Sequence, residues 1–139
     1  QGGMVEQFVG DAIIAIFYGE SLGEAAEHAV KAAEAMIEKH RQISEQRAAE
    51  GDFAYAFGVG IEVGHLLSGT VKAGSRHEYL VVGDARVRAE ALEGLSKTGT
   101  YTRIMVSDKV YALTRGLYDY VKAADRDVYE VTGRAGGKA

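Results

Sequence analysis

The chain has 139 residues, no cysteine and no proline, and its 16 basic and 20 acidic residues leave a net charge of −4. With 47% apolar and 26% charged residues, it has the composition of one folded domain, not of a disordered chain. Disulfide bonds and thiolate metal sites are excluded, and the acidic balance offers no general attraction to nucleic acid or to an anionic membrane.

We find no apolar run long enough to cross a membrane and no signal-peptide pattern, and we therefore expect a cytoplasmic protein. Residues 1–132 are predicted to form a single domain, and residues 133–139 a flexible tail. The pattern of strands and helices described below favours the α+β class.

Two strands are predicted first, at residues 5–9 and 12–17, joined by a tight turn at Gly10 and Asp11. Ser21 and Glu24 then have capping-box spacing at the start of a long helix that runs from about residue 24 to 49.

In residues 53–63, bulky side chains alternate with small ones, which predicts a strand with one face in a core. The other face is nearly bare, so that a helix or another backbone can approach it closely.

The remaining elements alternate between strands and helices. We expect a hairpin of residues 66–72 and 77–82, a helix at 84–95 capped by Asp84, and a short strand at 103–106. Ser107 is predicted to cap a short helix that Gly116 closes, and residues 118–121 and 128–131 are predicted to form a last hairpin.

Asp11 is unusual because it lies at the bend between two apolar strands. A carboxylate there is costly to desolvate unless a cation meets it. It is either a metal ligand or an ordinary turn residue beside Gly10.

Three segments in this order carry a resemblance to a known family: "GGMVEQFVGDAIIAIF" (residues 2–17), "GVGIEVGHLLSGTV" (58–71) and "EYLVVGDA" (78–85). Together they resemble the catalytic domain of class III adenylyl and guanylyl cyclases over residues 2–131. The last two segments are similar to the first catalytic domain of soluble-type adenylyl cyclases. The resemblance implies a ferredoxin-like antiparallel sheet with helices on one face, and places the family's first strand and two helices before Gln1.

The resemblance also implies roles for individual residues. Asp11 falls at a carboxylate that binds Mg²⁺ or Mn²⁺, while Gln7 and Leu80 fall at the positions that read the purine base. Lys122 is the candidate for a phosphate-binding lysine.

Gln7 and Leu80 are not the residues usual at the purine-reading positions, and two further positions depart from the family pattern. Val87 stands where the family has an asparagine that orients the ribose, and Ala91 stands where it has an arginine that stabilises charge on the transferred phosphate. Neither hydrocarbon side chain can donate a hydrogen bond, so the catalytic positions of this chain are degenerate. Arg86 and Arg88 lie nearby on different sides of the helix, and a shifted register would let one of them replace the missing arginine.

The resemblance therefore implies a divergent cyclase homology domain in cyclic-nucleotide signalling. It would be inactive alone, would bind ATP or GTP, and would form a homodimer or heterodimer with another cyclase domain. It would supply either the metal side of a catalytic pair or a dimerisation and sensing surface. Two alternatives are an active cyclase completed by an N-terminal segment or a partner, and a non-catalytic α+β ligand-sensing module.

Overall fold

The computed structural model describes residues 3–9, 12–51, 57–123 and 127–135. Within these ranges the chain forms eight strands and three α-helices. In chain order they are β1 (Gly3–Val9), β2 (Ala12–Phe17), α1 (Leu22–Ala49), β3 (Val59–Ile61), β4 (Leu67–Ala73), β5 (Arg76–Val82), α2 (Asp84–Leu95), β6 (Ile104–Ser107), α3 (Asp108–Thr114), β7 (Tyr118–Lys122) and β8 (Val128–Arg134).

The described strands pair in three groups. The largest is a four-stranded sheet in the order β3-β6-β8-β7, in which β3 runs parallel to β6 and the other neighbours are antiparallel. β1 pairs with β2, and β4 pairs with β5, as two antiparallel hairpins. The predicted α+β class is confirmed.

Helix α1 begins where its capping residue predicts. The Ser21 side chain accepts a hydrogen bond from the backbone N–H of Glu24 at 3.1 Å, which satisfies one of the free donors of the first turn. The helix buries a stripe of small residues, namely Ala26, Val30 and Ala33. Small side chains let the helix axis approach the sheet closely.

The two faces of the sheet are covered by different helices. Ile104 and Val106 of β6 pack in one core cluster with α1 and with Val110 of α3. Met105, whose side chain points to the opposite face, packs in a second cluster with Leu92 of α2. Helices therefore lie on both faces, whereas the sequence pattern predicted helices on one face only.

Gly60 explains why α2 lies on the second face. A Cβ atom on Gly60 would lie 2.3 Å from the backbone oxygen of Ala89 and 2.3 Å from the backbone nitrogen of Glu93. The bare face of β3 is thus occupied by a helix backbone, which confirms the close approach predicted from the alternating glycines.

Three boundaries differ from the sequence expectations. The cap of α2 is Gly83, with no side-chain hydrogen bond, and Asp84 is instead the first helical residue. β8 continues to Arg134, into the segment predicted to be a tail. The predicted strand at 53–63 is seen only as Val59–Ile61, and its first residues lie outside the described ranges.

Candidate functional site

Gly83 fixes the start of α2 in space. Its φ angle of 151° lies in a region that favours glycine, and a Cβ atom there would lie 2.9 Å from the backbone oxygen of His65. The turn before α2 is therefore packed against the segment that follows β3. This contact and the one at Gly60 determine which side of α2 faces outward.

Val87 and Ala91 lie on that outward side. They are one helical turn apart, at the i and i+4 positions that share a face. Both are exposed, and Val87 retains 66% of its accessible surface. The structure thus brings the two degenerate positions together on one accessible face, and neither side chain offers a donor to a ligand.

A buried carboxylate lies beside this helix. Glu62, just after β3, accepts a hydrogen bond from the Ser107 hydroxyl at 2.5 Å and one from the backbone N–H of Val63 at 3.0 Å. Its other oxygen accepts from Nε of Arg88 at 3.0 Å. The Glu62 side chain is only 3% exposed, so the pair joins α2 to the sheet through a buried charge.

Sequence reasoning did not assign Glu62 and Ser107 to the site. One signal was available, since Glu62 is the only charged residue in the alternating segment 53–63. A charge on a strand that is otherwise apolar and glycine-rich needs a partner. Its partner Arg88 lies 26 residues further along the chain, which no local pattern reveals.

The other arginine of α2 is placed differently. Arg86 lies on the opposite flank of the helix, where its guanidinium is 3.6 Å from the Glu90 carboxylate. The side chain is 24% exposed. Arg86 and Arg88 are thus both ion-paired but point to different sides of α2.

The remaining predicted site residues lie on separate elements. Gln7 is on β1, opposite Ile14 of β2, and Leu80 is on β5, opposite Gly69 of β4. β1 and β5 are in contact, so the two strands that carry the predicted purine-reading positions lie side by side.

Lys122 lies at the end of β7 and is exposed. Asp11, the predicted metal ligand, falls outside the described residues. A search of the described side chains finds no group of three or more His, Cys, Asp and Glu residues that could hold a metal ion. Because Asp11 is not among these side chains, the metal site that the resemblance implies stays a prediction.

A cavity of about 540 Å³ lies beside the segment 64–66, which also packs against Gly83 and Ala85 at the start of α2. It is bounded by the end of β2, the first turn of α1 and the segment 64–66. Its lining is mixed, with apolar side chains such as Phe17 and Leu66 beside Ser21 and His65. The sequence pattern did not indicate this cavity, because its walls come from three separate stretches of chain.

The sequence of this chain is similar to the sequences of known adenylate cyclases. The chain is 33% identical to an adenylate cyclase of Anabaena cylindrica over 96 residues, which are 69% of this chain and 19% of that protein. It is 30% identical to adenylate cyclase 1 of Rhizobium meliloti over 141 aligned residues, 94% of this chain and 21% of that protein. The chain belongs to the class III adenylyl and guanylyl cyclase family.

The fold of this cyclase homology domain agrees with solved cyclase structures. The adenylyl cyclase CyaB from P. aeruginosa matches 99% of the domain with a TM-score of 0.79 and 22% identity, over 76% of that chain. The guanylyl cyclase Cya2 matches 98% of it with a TM-score of 0.75 and 22% identity, over 73% of that chain.

The cyclase homology domain spans only about a fifth of the length of the curated relatives named above, and no family model matches it. Within the described ranges, none of the helices combines the length and apolar character needed to cross a membrane.

Proposed function

We propose that this domain acts in cyclic-nucleotide signalling as one member of a cyclase pair and forms no cyclic nucleotide alone. One observation carries the proposal: Val87 and Ala91 present hydrocarbon on the exposed face of α2, where the resemblance implies an asparagine and an arginine. Removing one donor aimed at transition-state charge typically costs about a hundredfold to a thousandfold in rate. Two such losses remove from this face of the helix both donors that the resemblance implies.

Asp11 gives the domain its proposed contribution to a pair. Both strands that flank it, β1 and β2, form the antiparallel hairpin expected around a carboxylate at a turn. In the proposed pair Asp11 supplies one ligand to a Mg²⁺ or Mn²⁺ ion, and the partner domain supplies the missing asparagine and arginine. The nucleotide is ATP or GTP.

A second candidate function is a dimerisation module without a metal site. This module would use the domain for pairing and would not use Asp11 as a metal ligand. The exposed Val87 fits either candidate, because apolar side chains on an accessible helix face favour burial against a partner.

Complementation separates these candidates. The partner is a cyclase domain that keeps its asparagine and arginine but has alanine in place of its own metal-binding carboxylates, so that it is inactive alone. If this chain supplies the metal side, adding it restores turnover of ATP or GTP in the presence of Mn²⁺. The Asp11→Ala variant then fails to restore turnover, while the matched control Asp119→Ala, at an exposed position on β7, restores it as well as the wild type.

Sedimentation of the same mixtures reads out association independently of turnover. Association without restored turnover, unchanged by Asp11→Ala, supports the dimerisation module. If the chain neither associates with the partner nor with itself, the proposed pairing is wrong.

A further inference from the structure

We infer that Arg88 is a phosphate-binding residue of this domain and holds the triphosphate of a nucleotide that the domain does not convert. The inference rests on the proposed function, because it concerns the same face of α2. It adds a ligand-binding residue at a position where the family resemblance assigns none.

Arg88 is held to the sheet through the Nε edge of its guanidinium group. Nε donates to the Glu62 carboxylate at 3.0 Å, and within the described part of the chain neither terminal nitrogen donates a hydrogen bond. The side chain remains 48% exposed. A guanidinium bound through one edge still offers the paired N–H groups of its other edge, and that fork matches a phosphate.

The carboxylate that anchors Arg88 is itself held in place by hydrogen bonds. Glu62 is buried and is itself fixed by the Ser107 hydroxyl and the Val63 N–H. Ser107 is fixed in turn, because it also caps α3 by accepting from the N–H of Val110 at 3.2 Å. Arg88 therefore loses less rotational freedom on binding an anion than a free surface arginine does.

Arg88 lies close to Ala91 on the surface of α2. Arg88 and Ala91 are three residues apart and are neighbours on the helix surface. Arg88 thus lies beside the degenerate face, on the flank nearer Ala91, whereas Arg86 lies on the opposite flank and leans towards Glu90. The Arg88 guanidinium therefore supplies positive charge to a bound triphosphate from a position one helical turn before Ala91.

Calorimetric titration tests this role, with inorganic tripolyphosphate and ATP as the two probes at fixed ionic strength. EDTA is present throughout, so that the result does not depend on Asp11 or on a metal ion. We expect the wild-type chain to bind both probes with a Kd of about 1 mM or tighter. Arg88→Ala is expected to raise both Kd values by about tenfold to a hundredfold, the range for a charge-assisted contact, and the matched control Arg86→Ala by less than about threefold.

Arg88→Ala leaves the buried Glu62 carboxylate unpaired and could therefore fail to fold. Arg88→Lys keeps the positive charge and is the second variant for that reason. Lysine cannot hold Glu62 with one edge and a phosphate with the other, so we expect the folded Lys variant to bind about fivefold more weakly or worse. Equal losses in the Arg88→Ala and Arg86→Ala variants, wild-type affinity in Arg88→Lys, or no binding by the wild type would each overturn the inference. Turnover by the chain alone contradicts the proposed function and leaves this comparison of affinities unaffected.

Discussion

Gly60→Ala is predicted to destabilise the domain because the backbone of α2 lies directly against Gly60. The added methyl group would lie 2.3 Å from two backbone atoms of α2 and 2.8 Å from Cβ of Leu92. These atoms belong to a helix backbone and to a buried side chain, so no flexible side chain can swing aside. The helix has to move outward by about 1 Å to restore ordinary contact distances.

The cost follows from what that movement separates. Leu92 packs with Met105 and Val128 in the second core cluster, and a gap of 0.5–1 Å forfeits roughly a quarter to a half of each dispersion contact. Overpacking of this kind costs about 1–3 kcal/mol when side chains can adjust. With backbone in the way, we expect a loss of about 2–4 kcal/mol from a stability of about 5–15 kcal/mol.

Urea unfolding followed by far-ultraviolet circular dichroism measures this loss, and Gly94→Ala in the same helix is the matched control. A Cβ atom at Gly94 meets nothing within 4 Å, so its greater helix propensity is expected to stabilise the protein by about 0.5–1 kcal/mol. Opposite signs for the two variants support the packing of α2 on β3. A loss below about 0.5 kcal/mol for Gly60→Ala, or equal effects of both changes, would refute it.

Two further predictions concern the buried groups of the sheet. Glu130 is 3% exposed and accepts hydrogen bonds from the backbone N–H groups of Thr100, Tyr101 and Arg103 at 3.2, 2.9 and 2.9 Å. Glu130→Ala should therefore lower the free energy of unfolding in urea by about 3–5 kcal/mol. Glu130→Gln should lower it less, because its amide keeps one acceptor. Equal stability of Glu130→Ala and wild type would contradict this contact set. Burial, with the nearby Glu34 carboxylate, raises the pKa of Tyr118 from 10.0 to about 12. The folded state therefore favours the neutral phenol. The contribution of this phenol to the stability of the fold is complete below pH 10 and is lost as the pH rises towards 12. Burial also raises the pKa of Tyr120, so ultraviolet difference titration should show fewer tyrosines ionising near pH 10 in the folded wild type than in its unfolded state. Tyr118→Phe should remove one of the late-titrating groups, and titration of all tyrosines near pH 10 would contradict the assignment.

Features that depend on neighbouring residues could be predicted from the sequence. Ser21 and Ser107 cap their helices as expected, because the donor they satisfy is three residues away. The alternation around Gly60 correctly predicted a close approach. Asp84 failed as a cap because Gly83, with its unusual φ angle, already occupies that position.

Features that depend on distant residues could not be predicted. The pairing of β3 with β6 decides whether α2 covers the same face of the sheet as α1, and β6 lies more than 40 residues after β3 in the chain. The network of Glu62, Ser107 and Arg88 likewise joins residues 26 and 45 positions apart. The degenerate pair Val87 and Ala91 was visible beforehand, since both lie in one helix, and the structure adds that this face is accessible.

The most direct test of the central claim is turnover by the purified chain alone, assayed with ATP and with GTP in the presence of Mn²⁺. We predict no cyclic nucleotide above the level of a boiled control, because the exposed face of α2 carries Val87 and Ala91. Sustained formation of cyclic AMP or cyclic GMP that disappears in the Asp11→Ala variant would contradict it.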